Sequence, residues 1–152
     1  MRALNKSQEF EGLYQDLGNK ENKLFNSMKD IYVLAAIIGA KEDKRKPFSN
    51  KGGEPIKESI FSDSDRTFMN FIAIDRTKDL SILKDEEDSI EQKAILIEEY
   101  ANGGMEILKK YLGEDYLSLD NLIEAITNLD RDLEELKPKK DIADILNSIV
   151  IE

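Results

Sequence analysis

The sequence has no cysteine and no histidine among its 152 residues. Disulfides and Cys/His zinc sites are thereby excluded, as is any serine or cysteine nucleophile activated by a histidine base. No apolar run reaches the ~18–20 residues of a membrane span, and the opening MRALNKSQEFEGLY lacks the apolar core of an export signal. A cytoplasmic protein with no membrane contact is the expectation. No phosphate loop of the form G-x-x-x-x-G-K-[ST] occurs, because Gly52-Gly53 runs into Glu54-Pro55, where an anion cradle needs amides and a helix start. Internal repeats and low-complexity tracts are absent too. Without histidine, acid–base work falls to carboxylates, lysines and tyrosines, and the acids form no recognisable catalytic spacing. Asp63 and Asp65 read as a helix start before they read as Mg²⁺ ligands, and Asp130 and Asp132 as a solvated helix face. The expectation is therefore no enzyme, no catalytic residue, no metal and no cofactor.

What is present is charge and helical periodicity. A chain of this length buries about 68–70% of its unfolded surface, enough for one domain over residues 1–152. The net charge is −10, and it is uneven: residues 1–60 carry 11 basic and 9 acidic groups, residues 61–152 carry 11 and 23. The carboxy-terminal part repels phosphate backbones, so any nucleic-acid contact falls to the amino-terminal part.

The clearest element is Ser27 to Phe48, an apolar run followed by a basic, proline-stopped loop. Its spacing predicts a core helix with Ser27 as N-cap, Asp30 at the capping-box position, and Gly39 with Lys41 at the stop. Before it, Phe10, Leu13, Tyr14 and Leu17 mark a short helix closed by Gly18. Ile56 to Phe61 alternates like a strand and is paired in expectation with Lys46 to Phe48. Ser62 to Asp65 offers N-caps for a third helix ending near Thr77, although residues 67–74 are rich enough in aromatic and β-branched side chains for a strand to compete. Ile90, Ala94, Ile97, Ala101, Met105, Leu108 and Leu112 predict a helix of about 25 residues. Gly103 and Gly104 interrupt it at a cost of roughly 1 kcal/mol each, which calls for close packing, a kink or a ligand against the bare backbone. Two more amphipathic segments follow, from Ser118 to Leu136 and from Lys139 to Ile151. The fold class is mainly α: a compact bundle of five or six helices, with one small β-hairpin near residues 46–61 as the most β structure allowed.

The best interaction site is the basic loop. Lys41, Lys44, Arg45, Lys46 and Lys51 face only Glu42 and Asp43, with Phe48 beside them, a combination suited to a phosphate or an acidic partner surface. Gly103 and Gly104 join these as candidate binding residues. The acidic face built from Asp120, Glu124, Asp130, Asp132, Glu134 and Glu135 offers a third surface, a mimic of the DNA backbone.

Taken together, MKDIYVLAAIIGAK, the KRKPF turn, GGEPI, DRTFMNFIAI and EEYANGGMEILKKYL resemble the small DNA phosphorothioation-associated proteins encoded beside bacterial Dnd-type systems, over roughly Phe10 to Leu112. Such systems replace a non-bridging backbone oxygen with sulfur and restrict unmarked DNA. The resemblance implies an accessory role in phage defence, with a protein component of the modification or restriction machinery as partner, and carries over no functional residue. A DNA-binding regulator or modified-DNA reader using loop 41–51 is the alternative, and self-association is left open.

Overall fold

The fold is taken from a computed structural model, which describes residues 1–18, residues 27–112 and the helical position Thr127. Four α-helices lie within the described residues: α1 (Glu11–Leu17), α2 (Met28–Lys41), α3 (Asp63–Thr77) and α4 (Glu87–Leu112). Short 3-10 turns precede α1 at Gln8–Phe10, α3 at Glu58–Ile60 and α4 at Leu80–Leu83. Apart from Thr127, the segments expected to form further helices at 118–136 and 139–151 lie outside the described residues.

α2 is the centre of the core because its sequence leaves it no polar face. Ile31, Tyr32, Val33, Ala35, Ala36, Ile38, Gly39 and Ala40 are all buried, as expected of a helix surrounded by other elements. Its start follows Ser27, whose hydroxyl donates to the Asp30 carboxylate at 3.2 Å instead of capping a backbone amide. It ends at Lys41, as the sequence reading has it, but Gly39 does not supply the stop. Gly39 is an interior helical residue, and the stop is Asp43, held in the left-handed region at φ 53°. The Asp43 amide donates to the Ala40 carbonyl at 3.1 Å and the Lys44 amide to Gly39 at 2.7 Å, the paired reverse bonds that close a helix.

α4 lies across α2 and forms the other half of the core through Ala94, Leu96, Ile97, Tyr100, Ala101, Met105, Ile107 and Leu108. It runs unbroken through Gly103-Gly104, so close packing accounts for the pair. A Cβ on Gly104 would stand 1.7 Å from the Ala35 carbonyl oxygen, and one on Gly39 would stand 2.0 Å from the Tyr100 oxygen. Glycine at these points lets the two backbones approach with nothing between them.

α3 begins with a complete capping box: the Asp65 amide donates to the Ser62 hydroxyl at 3.1 Å and the Ser62 amide to the Asp65 carboxylate at 2.8 Å. The helix alternative for residues 67–74 therefore holds, and Thr77 ends it as the spacing predicts. Only Asp65, Met69 and Ala73 are buried, a narrow stripe one side chain per turn, which places α3 on the periphery.

The expected hairpin between 46–48 and 56–61 does not form. Ile56 instead exchanges backbone bonds of 2.8 and 3.0 Å with Leu4, while Gln8 donates to Asn50 and Gly52 to Lys6, each at 2.8 Å. The first eight residues thus run antiparallel to 50–56 through two isolated bridges, Leu4–Ile56 and Ser7–Lys51. The amide of Lys46 is used elsewhere, and Glu58–Ile60 turns into a 3-10 turn that leaves Ile60 exposed. No helix among the described residues is long and apolar enough to cross a membrane.

Candidate functional site

The basic loop leaves α2 at Asp43 and is laid along α4. The Lys46 amide donates to the Glu99 carbonyl at 3.0 Å, and the Lys46 carbonyl accepts from the Asn102 side chain at 3.0 Å. Beneath it, a Cβ on Gly103 would stand 1.9 Å from the Lys44 carbonyl oxygen. The loop therefore rests on bare helix backbone, and Gly103 is the residue that makes room for it.

The side chains follow the same course. Arg45 Nε donates to Glu99 at 2.6 Å, Lys44 Nζ stands 3.4 Å from Glu106, and Lys46 Nζ stands 3.0 Å from both Glu9 and Glu106. Lys46 also lies 5.2 Å from the centroid of the Phe10 ring, a cation–π placement. Burial alone would lower the Lys46 ammonium, but bonds to Glu9 and Glu106 outweigh it and hold the group above its ordinary value. The Lys46 bond in turn holds the Glu106 carboxyl below its ordinary value, against the opposing effect of burial. Lys44, Arg45 and Lys46 are thus matched by Glu9, Glu99 and Glu106 of the same chain.

The other predicted residues stand apart from that cluster. Lys41 is partly exposed on the last turn of α2, Phe48 is partly exposed beyond Pro47, and Lys51 is exposed beside Ser7. Gly104 is buried and points at Ala35 of α2, away from the loop. Sequence reasoning missed Glu9, Glu99, Asn102 and Glu106, and a signal for three of them exists. Glu99, Asn102, Gly103 and Glu106 recur at steps of three, one and three, a single stripe of α4.

Two further ion clusters fix the frame. Asp43 accepts from the Tyr100 hydroxyl at 3.0 Å and pairs with Arg76 at 3.1 Å, joining α2, α3 and α4 at one carboxylate. Burial, and then the bond to Asp43, raise the Tyr100 hydroxyl above its ordinary value. On the opposite side Arg2 clamps buried Glu98 with two bonds of 2.8 and 2.9 Å and reaches Glu91 at 2.7 Å, while the Asn5 amide donates to Glu98 at 2.6 Å. The Glu98 bond is the main reason that the Arg2 guanidinium is held above its already high value.

One acidic run stands without an ion pair among the described residues. Asp85, Glu86, Glu87 and Asp88 are exposed, and no ion pair among the described residues engages them. Acids at the start of α4 suit the positive end of its dipole. Just before them Leu80 is 72% and Leu83 39% exposed. The Ser89 hydroxyl ties this turn to α4 through the Ser81 carbonyl at 3.0 Å. Asp120, Glu124, Asp130, Asp132, Glu134 and Glu135, the acidic face proposed as a DNA mimic, lie outside the described residues.

Comparison with known proteins places the chain in a family without supplying a structural neighbour: no curated protein and no solved structure matches it. The family model described as DNA sulphur modification system-associated protein 4 matches residues 4–145, a span that contains the core helices, the basic loop and the Asp43–Tyr100–Arg76 cluster. The chain belongs to the DNA sulphur modification system-associated protein 4 family.

Proposed function

We propose that the chain is a non-enzymatic, cytoplasmic accessory of a DNA sulphur modification system that acts by binding a protein component of that system, in the context of phage defence. The observation that carries this reading is the surface at 80–88, where exposed Leu80 and Leu83 stand beside four carboxylates that no ion pair among the described residues engages. Apolar side chains beside a net negative charge, four acids against Lys84, suit a partner with an apolar patch in a basic rim, the charges steering and orienting the encounter. Direct DNA reading by loop 41–51 is less well supported. Lys44, Arg45 and Lys46 would have to leave Glu106, Glu99 and Glu9 before they could meet phosphates.

The test is co-purification of the tagged chain with the other components of its modification cluster, expressed together. The expected result is retention of one component, lost on Leu80→Asp with Leu83→Asp and kept on Arg45→Ala. Failure of the wild-type chain to retain any component, together with DNA cleavage or nucleotide turnover by the purified chain, overturns the reading. A mobility-shift titration of sulfur-marked and plain duplex against Lys44→Ala/Arg45→Ala/Lys46→Ala provides the counter-check, with no difference from wild type expected.

A further inference from the structure

A second cationic group differs from the basic loop because its members are only weakly matched by carboxylates. A shallow cleft is lined by Ala3, Lys57, Glu58, Ser59 and Arg66, where the amino-terminal segment meets the turn before α3. Arg66 donates through one terminal nitrogen to the Glu58 carbonyl at 3.1 Å, while its Nε is buried and has no hydrogen-bond partner among the described residues. Its one ion pair is long, 3.9 Å to a fully exposed Asp63. Lys57 is exposed and has no ion pair among the described residues.

Lys93 lies close enough to Glu58 to feel its charge, and its Nζ donates to Asn70, a neutral amide, at 3.0 Å. Asn70 is one turn beyond Arg66 on α3, so the two fall on the same face. Burial holds the Lys93 ammonium below its ordinary value, with Glu58 opposing. Two cations, Lys57 and Arg66, thus line the cleft with one carboxylate, Glu58, which the amino-terminal ammonium engages at 3.6 Å; Lys93 stands behind them on the Asn70 side.

We propose that this cleft binds a phosphate dianion, free or as the terminal phosphate of a nucleotide, with Arg66 and Lys57 as its contacts and Lys93 as a supporting charge. Guanidinium groups recognise such oxyanions through several N–H donors at once. The bound dianion takes up the remaining N–H groups of the partly exposed Arg66 terminal nitrogens, one of which already donates to Glu58. The inference stands apart from the partner surface at 80–88 and does not depend on it.

The experiment is an NMR titration of the isotope-labelled full chain with inorganic phosphate at constant ionic strength. Saturable shifts are expected at the amides of 57–66 and at Lys93 Nζ, with a dissociation constant on the order of 1 mM. Arg66→Gln and Lys57→Gln should each weaken binding by about tenfold, and the Lys44→Gln/Arg45→Gln pair should leave it unchanged. Lys57 makes no fold contact that its variant removes, which keeps the test valid if Arg66→Gln unfolds. Shifts that do not saturate, or that persist at full strength in Lys57→Gln, overturn the proposal. So does a response centred on residues 44–46. Repeating the titration with a nucleoside 5′-monophosphate and its nucleoside separates the sources. A tighter monophosphate identifies an esterified ligand, and equal affinity identifies the free anion. A nucleoside that binds as well as its monophosphate counts against a phosphate site.

Discussion

Replacing Gly104 with alanine is the sharpest test of how the core is built. In an ordinary helix this change stabilises by about 1 kcal/mol through propensity. Here the new Cβ would lie 1.7 Å from the Ala35 oxygen, 2.5 Å from its carbonyl carbon and 2.9 Å from its Cα, against the 3.4 Å or more of ordinary contact. Those atoms are helix backbone, so no rotamer change relieves them, and α2 must move away from α4 along their shared contact. Overpacking of a well-filled core costs about 1–3 kcal/mol, and an obstacle that cannot rotate belongs at the upper end. Set against the propensity gain, the net loss is about 2 kcal/mol. With a urea slope of about 2 kcal/mol per molar, the unfolding midpoint falls by about 1 M at unchanged slope. The matched control is Gly12→Ala in α1, where a Cβ meets nothing within 4 Å; it should raise stability by about 0.4–1 kcal/mol. A Gly104→Ala chain as stable as the wild type would refute the close crossing of α2 and α4.

Other substitutions probe the ends and the strap. Ser62→Ala removes the hydroxyl that caps α3 and should cost about 1 kcal/mol, read as a midpoint shift in denaturant. Burial would raise the Asp65 carboxyl, but bonds from Lys29 and Ser62 hold it below its ordinary value of 3.8. A group depressed on folding contributes stability above its unfolded pKa and loses it as the pH falls through that value and below. Melting curves should therefore show an acid-side loss below about pH 4 that is shallower in Asp65→Asn; an unchanged acid limb would show that the carboxylate is not held this way. Glu98→Gln leaves Arg2 and the Asn5 amide against an uncharged partner in a buried site, and a loss of about 3 kcal/mol in chemical unfolding is expected. Stability within experimental error of the wild type would mean that the amino-terminal segment does not depend on this clamp.

The features legible in the sequence were those whose causes are local. α3 could be bounded because its cap at Ser62 and its end at Thr77 are written within one turn of the residues that they terminate. α4 could be bounded because its apolar period runs through the two glycines without a phase change. α2 does end at Lys41, but Gly39 was misread because it looks like a terminator, while its actual requirement, a backbone 61 positions away at Tyr100, leaves no local trace. The same distance defeated the hairpin: Ile56 alternates like a strand, but its partner is Leu4 and not the nearby loop. The basic loop was found by composition. Its neutralisation was hidden because Glu9, Glu99 and Glu106 are remote from it in sequence and abundant acids elsewhere made them unremarkable.

The crossing of α2 on α4 also sets an order of events during synthesis. α2 is complete at Lys41, but the helix that covers it ends at Leu112. At about 5–20 residues per second a ribosome needs roughly 4–14 s to make the intervening chain. For that interval the most apolar segment of the protein has no partner for the side bearing Ala35 and Gly39, and Arg2 and Asn5 wait for Glu98 as well. Both ends of the core therefore close late and together, which makes the nascent chain a client for chaperones that hold apolar helices until translation supplies their cover.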